Sequence, residues 1–498
     1  MTAPPGSLLR GPLLRETEAG WVRGETLKAG HSHSWAWLGV PYAAQAAGPL
    51  RFRPPQPHGG WVGIREARSF GPDVLQPLDP SVTLTPSVEG SLLLNIWTPA
   101  RPAPAGGWPV LFWLHGGAFR AGSGRLYDGR ELAARGEIVV VSVNSRLGPL
   151  GYANFGGLFA DDRFAPNAGF QDQVAALRWV HANIAAFGGN PARITAAGQS
   201  AGAAGVSLLL GHGSTAPLLA GAILQSGGLN QVSDLDNSLD IARAYANALG
   251  VRRDNLNALW TLPPRAFVAA LHTLEGVRKR SLNSRPFLDG VLLPTTRAEL
   301  LARPLAPVPL LIGANREEYS LFVRLPDRIF QKIDRTYLAH KLEQQASPER
   351  VLKILSAYPD TLEGLTALGT DLFFHTPNDV LGDAHPAPHW RYRLDWGTKV
   401  AGLGATHGME LLFLWPRPMG LSSALMRGGQ ARQRAALAHR MQTAWLNFVR
   451  EGSPGPDWQP GSAEQPNVNV LSLAGLSVEA EAERKRRALW DGLVVPMP

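Results

Sequence analysis

In the middle third of the chain, apolar positions follow two alternating patterns. Val110–Leu114, the β-branched Glu137–Asn144, Ile194–Ala197 and Gly221–Gln225 are short, nearly unbroken apolar runs, as expected of strands buried on both faces. Between them, after Asn167, Val174, Leu177, Val180, Ile184 and Phe187 recur at helical spacing until Gly188-Gly189 ends the pattern. Val308–Gly313 and His389–Asp395 read as later strands, the second alternating Trp390, Tyr392 and Leu394 with arginines. The stretches at about 230–286 and 325–381 are mostly helical and read as excursions covering one end of a sheet. A last helix, Ala431 to Val449, carries Leu437, Met441, Ala444, Trp445 and Phe448 on one face. Strands alternating with helices predict an α/β fold, with a mostly parallel central sheet flanked by helices. Pro and Gly punctuate the chain evenly and no repeat or long linker interrupts it, so the expectation is one domain over residues 1–498.

Composition narrows the function classes. Hydrophobic residues make up 45% of the 498, with 15 Trp and 17 Phe, enough for a large core. No apolar stretch approaches the length of a membrane span, and the first fifteen residues lack the apolar region of a secretory signal. There are no cysteines, which excludes disulfides, a thiolate nucleophile and Cys-ligated metal, and fits a cytoplasmic protein. The net charge of +8 raises the question of nucleic acid. The arginines are scattered, however, and the densest cluster, Arg278-Lys279-Arg280, has no interleaved aromatics, so the expectation is a solvated basic surface and no nucleic-acid partner.

Chemistry enters at Gly198-Gln199-Ser200-Ala201-Gly202. Gly-x-Ser-x-Gly is a weak pattern alone in a chain with 54 glycines. Here it lies between a strand-like run and helix-forming residues, the context of a nucleophile elbow that lifts Ser200 onto a sharp turn. Upstream, Val110–Leu114 empties into His115-Gly116-Gly117, the pattern of an oxyanion-hole loop. A serine alkoxide needs a base and an acid to orient that base, which in α/β-hydrolases follow the serine in the order acid, histidine. Glu317 and Glu318 close the strand at Val308–Gly313, with Asp289 as a weaker rival. His407 lies in a loop of small residues after the last strand, with His375, His385 and His389 as rivals.

These segments together resemble the type-B carboxylesterases, the family of bacterial carboxyl- and nitrobenzyl-ester hydrolases and the cholinesterases. The resemblance runs through Gly39–Ala43, Pro49–Phe52, Leu94–Trp97, His115–Gly117, Asn144–Gly148 and Asp172-Gln173. It continues through Phe187–Pro191, the elbow, Asn315–Glu318, His407–Glu410 and Trp445–Phe448, covering most of the chain in the family's order. It implies an α/β-hydrolase fold with helical insertions over the active site. It also implies Ser200, Glu318 and His407 as catalytic groups, with the N–H groups of Gly116, Gly117 and Ala201 as oxyanion hole. Ser226 matches a supporting serine behind the acid, while Glu317 matches a variable acidic position. Two departures bear on substrate. Val74 and Ser91 stand where eukaryotic members have a disulfide, and no aromatic residue lies between them. Gln199 stands where the family often has Glu. Both weaken the case for a cationic substrate.

The resulting expectation is a cofactor-free, metal-free serine hydrolase of neutral esters with short to medium acyl chains, acting on a small molecule through an acyl-enzyme on Ser200. A catalytically silent binding or adhesion module on the same fold is the alternative from another class, and a lipase or amidase the one nearer by.

Overall fold

The computed structural model describes residues 11–78, 87–278, 282–324, 333–417, 426, 430–491 and 493–497. Its centre is an eleven-stranded mixed sheet, whose strands are numbered β1 to β11 here in chain order. They are Glu25–Ala29, Ser32–Pro41, Leu93–Pro99, Trp108–Leu114, Val139–Val143, Gly189–Gln199, Gly221–Gln225, Leu310–Asn315, His389–Leu394, Val468–Leu471 and Leu476–Glu479. Across the sheet the order is 11-10-9-8-7-6-4-5-3-2-1. The seven strands from β10 to β5 in that order pair in parallel, and antiparallel strands flank them at both ends.

The strands anticipated in the middle third are the parallel core, because a strand covered on both faces must be apolar throughout. On β4, Val110, Phe112 and Leu114 enter one hydrophobic layer, while Leu111 and Trp113 enter the other. The first layer holds α1 (Ala168–Asn183) and the fully buried α2 (Ala201–Gly211). The second holds α5 (Ala431–Glu451), which buries Leu437, Met441, Ala444, Trp445 and Phe448 as its periodicity requires. The pattern ending at Phe187 divides into α1 and a short 3-10 turn, Ile184–Phe187, capped by Gly188 at φ +84°. Strand β6 is longer than the apolar run that announced it, starting at Gly189 and changing register before Ile194.

The helical stretches are present as Leu235–Ala248, Ala258–Thr261 and Pro264–Val277 in the first excursion. In the second they are Arg335–Glu343, Pro348–Ser356, α3 (Leu362–Thr370) and α4 (Thr376–Ala384). Residues 279–281 and 325–332, and residues 79–86 of the aromatic-free loop, lie outside the described residues.

Two arginines of the family-like segments are buried structural cations. Arg146 is 1% exposed and grips Asp172 with two guanidinium N–H groups at 2.7 and 2.8 Å, while Arg51 pairs with Glu89 through both carboxylate oxygens. Removing one partner of such a pair would strand a buried charge, at a cost of roughly 3–5 kcal/mol. No described helix is long and apolar enough to cross a membrane.

Candidate active site

Ser200 sits between β6 and α2 with φ +55° and ψ −122°, a strained backbone conformation for a residue with a side chain. The neighbouring glycines permit the turn. A Cβ on Gly198 would lie 2.5 Å from the Gly202 carbonyl carbon, and one on Gly202 would lie 2.1 Å from the Leu114 carbonyl oxygen. The second contact ties the elbow to the end of β4, where the His115-Gly116-Gly117 loop begins. That loop crowds the serine, since a Cβ on Gly116 would stand 3.2 Å from Ser200 Cβ. Behind the turn, the Ser200 N–H donates to the Gln225 carbonyl at 2.8 Å. The N–H groups of Gly116, Gly117 and Ala201 donate to no acceptor among the described residues, and Ala201 opens α2, whose N-terminus carries positive dipole.

Glu318 lies three residues beyond the end of β8 and is completely buried. Its Oε2 accepts from His407 Nδ1 at 2.6 Å, and its Oε1 accepts from Ser226 Oγ at 2.5 Å and from the Asn315 N–H at 2.6 Å. With Nδ1–H committed to the carboxylate, Nε2 of neutral His407 presents its lone pair. The Gln199 amide nitrogen is 3.3 Å from that Nε2. Ser200 Oγ makes no hydrogen bond among the described residues, so the hydrogen-bonded pair here is that of Glu318 and His407.

Burial by itself would lower the His407 pKa. The charge of Glu318, its hydrogen bond and the charge of Glu410 outweigh that and leave it raised. Glu410 is a second buried carboxylic acid, pushed up to about 7 by burial and then by the charge of Glu318. Asn315 Nδ2 donates to it at 2.5 Å and Gln225 Nε2 at 3.3 Å. Phe322 and Phe374 flank the His407 ring, with centroids 5.6 and 5.2 Å away.

The rival residues are occupied elsewhere. Asp289 caps a turn, accepting the N–H groups of Val291, Leu292 and Leu293. His385 meets the Val308 carbonyl, and His389, pushed down to about 4 chiefly by burial, lies on β9. His375 forms its own pair with Asp371. Glu317 is not an idle surface acid, because its Oε2 accepts the Ala405 N–H at 2.6 Å and so ties down the loop that carries His407. The sequence reading missed Glu317's grip, Glu410, and both phenylalanines. The Glu410 position stood inside the family-like His407–Glu410 segment, whereas nothing in the sequence marked Phe374. Trp396 and Trp415 are core residues packed on Phe413 and on Trp113 and Tyr127. Among the described residues, no group of three or more His, Asp or Glu side chains is placed to hold a metal ion.

A serine on a strained strand-to-helix turn of a mostly parallel sheet, with a buried carboxylate–imidazole pair beyond the end of a later strand, matches the arrangement of α/β-hydrolases. The chain belongs to the carboxylesterase family, which it matches over residues 12–490, and is a carboxylic-ester hydrolase. It is similar to the para-nitrobenzyl esterase of Bacillus subtilis, 32% identical over 487 residues that cover 95% of this chain and 97% of that one. It is also similar to human cocaine esterase, 31% identical over 528 residues, covering 94% and 89%. A solved PNB esterase matches with a TM-score of 0.88 at 31% identity, over 96% of this chain and 99% of the other. A carboxylesterase from Geobacillus stearothermophilus matches at 0.83 and 34%, over 96% and 100%.

Proposed function

We propose that this esterase cleaves neutral carboxylic esters with short to medium acyl chains through an acyl-enzyme on Ser200. His407 Nε2 takes the serine proton as Oγ attacks the ester carbonyl, then returns it to the leaving alcohol. Glu318 keeps the imidazole in the tautomer that leaves Nε2 free and stabilises the cation formed. The N–H groups of Gly116, Gly117 and Ala201 take the developing oxyanion, and Gly116 and Gly117 leave room for its approach. Water then attacks the acyl-enzyme with His407 again as base. The observation that carries this reading is the Glu318–His407 bond of 2.6 Å, with the carboxylate fixed by two further donors, on the chain that also strains Ser200 into the elbow.

Neutral substrates are supported by Gln199, whose uncharged amide stands beside His407 where a carboxylate would favour a cation. The apolar Phe322 and Phe374 beside the imidazole suit an acyl or alkyl group. Two of the relatives are named for ester substrates, para-nitrobenzyl esters and cocaine, and a cysteine-free chain suits the cytoplasm. A serine-directed phosphonate tests the reading. Stoichiometric labelling at Ser200, with Ser200→Ala abolishing nearly all hydrolysis of 4-nitrophenyl butyrate, is the expected result. Labelling on another serine would overturn it. A series of 4-nitrophenyl esters of increasing chain length tests the acyl preference.

A further inference from the structure

Between α3 and α4 the chain makes one π-helical turn, Asp371–His375. Such turns cost regular hydrogen bonding and recur at functional sites. This one touches His407 directly and Glu318 through Asn315. Its Phe374 ring stands 5.2 Å from the His407 ring, and its His375 Nε2 lies 3.1 Å from the carbonyl oxygen of Asn315. Asn315 is the hub on the acid side. Its N–H donates to Glu318 Oε1 at 2.6 Å, and its side-chain amide donates to Glu410 Oε2 at 2.5 Å and to the Thr406 carbonyl at 2.8 Å. One residue therefore holds both buried carboxylates and the residue preceding His407.

A carbonyl oxygen only accepts, so His375 Nε2 must carry a proton. Its Nδ1 lies 2.8 Å from Asp371 Oδ1, and the other oxygen of Asp371 accepts the Tyr358 hydroxyl at 2.5 Å. An ionised Asp371 makes both ring nitrogens of His375 donors. Arg486 reaches Asp371 Oδ1 at 3.8 Å and Glu483 lies on the same helix as Arg486, so cations and acids surround the ring from the C-terminal helix as well as its own turn. Burial opposes a charge on His375, but the hydrogen bond and charge of Asp371 outweigh it and raise its pKa.

We propose that His375 is a positioning residue for ester hydrolysis: it clamps the carbonyl of Asn315, and thereby holds in place the residue whose N–H and side-chain amide orient Glu318 and Glu410 behind His407. This rests on reading Ser200, His407 and Glu318 as the catalytic groups. The clamp acts on geometry needed when charge develops on the imidazole, so its loss lowers kcat and leaves KM unchanged.

Two substitutions separate the clamp from general support of the fold. His375→Gln places an amide N–H near the Nε2 position, keeping the donor to Asn315 while giving up Asp371. His375→Asn reaches only as far as Nδ1, keeping a donor to Asp371 while giving up Asn315. Each forfeits one buried hydrogen bond. Both are measured with 4-nitrophenyl butyrate per site titrated by a serine-directed phosphonate, so a reduced yield of folded protein does not enter. The expected result is a fall of about tenfold or more in kcat for His375→Asn with KM within about twofold, and retention within about threefold for His375→Gln. Equal losses in the two, or a more active Asn variant, would overturn the clamp. Failure of the phosphonate to label Ser200 in the unsubstituted enzyme would instead overturn the reading of the site on which it rests.

Discussion

Replacing Glu318 by Gln changes one atom, and the surroundings dictate which way the amide faces. Oε1 accepts two donors, Ser226 Oγ at 2.5 Å and the Asn315 N–H at 2.6 Å, while Oε2 accepts one, His407 Nδ1 at 2.6 Å. A hydroxyl can rotate to accept, but a backbone N–H cannot. The glutamine therefore turns its carbonyl oxygen toward Asn315 and its NH2 toward His407. Nδ1 must then accept, which moves the single imidazole proton to Nε2, the nitrogen needed to take the proton of Ser200. The base is present but in the wrong tautomer, and no carboxylate stabilises its cation. Wrong-tautomer triads lose about 10⁴ in kcat, so the expected fall here is about 10³–10⁴, equivalent to roughly 4–5.5 kcal/mol of transition-state stabilisation. The assay is steady-state hydrolysis of 4-nitrophenyl butyrate beside a thermal melt, which should show a folded protein because the buried site loses a charge and gains no clash. A loss below tenfold in the folded variant would refute the reasoning. So would a larger effect from Glu317→Gln.

Four further outcomes are expected. Glu317→Gln keeps an oxygen for the Ala405 N–H and should cost less than about threefold in kcat, whereas Glu317→Ala frees the loop bearing His407 and should cost about tenfold, read in the same assay. Because folding raises the His407 pKa and the base works only when neutral, activity should rise with pH through a midpoint above the ordinary histidine value. Protonated His407 favours the fold below that ordinary value, a contribution lost as pH rises through the raised pKa. Glu410→Gln removes one of the charges that raise it and should move the limb of the kcat/KM profile to lower pH. Finally, kcat/KM should be much larger for 4-nitrophenyl butyrate than for butyrylthiocholine, since no carboxylate replaces Gln199 beside His407 and the chain carries +8; equal values would show that Phe322 and Phe374 hold a cation.

The sequence by itself determined the elements whose apolar pattern is forced. Parallel strands covered on both faces are largely apolar, so β4 to β8 announced themselves, β9 did so by alternating apolar residues with arginines, and α5 through its single buried stripe. The elbow was legible because Gly198 and Gly202 have no alternative at those contacts. Only the tertiary structure decided the rest. The antiparallel strands Ser32–Pro41 and Leu93–Pro99 take their place by pairing with each other and with β5, long-range contacts that a local pattern does not encode. Chain order placed Glu317 and Glu318 side by side at a strand end. The hydrogen bonds then distinguish them, one carboxylate turning inward to His407 and the other gripping the backbone at Ala405. The same holds for the contacts of Glu410 and His375, which the sequence marked only as part of a family-like segment and as a rival histidine, and of Phe374, which it did not mark at all. These residues meet His407 and Asn315 because the last strands and the helical excursion fold against each other, and contact between residues tens of positions apart depends on packing rather than on periodicity.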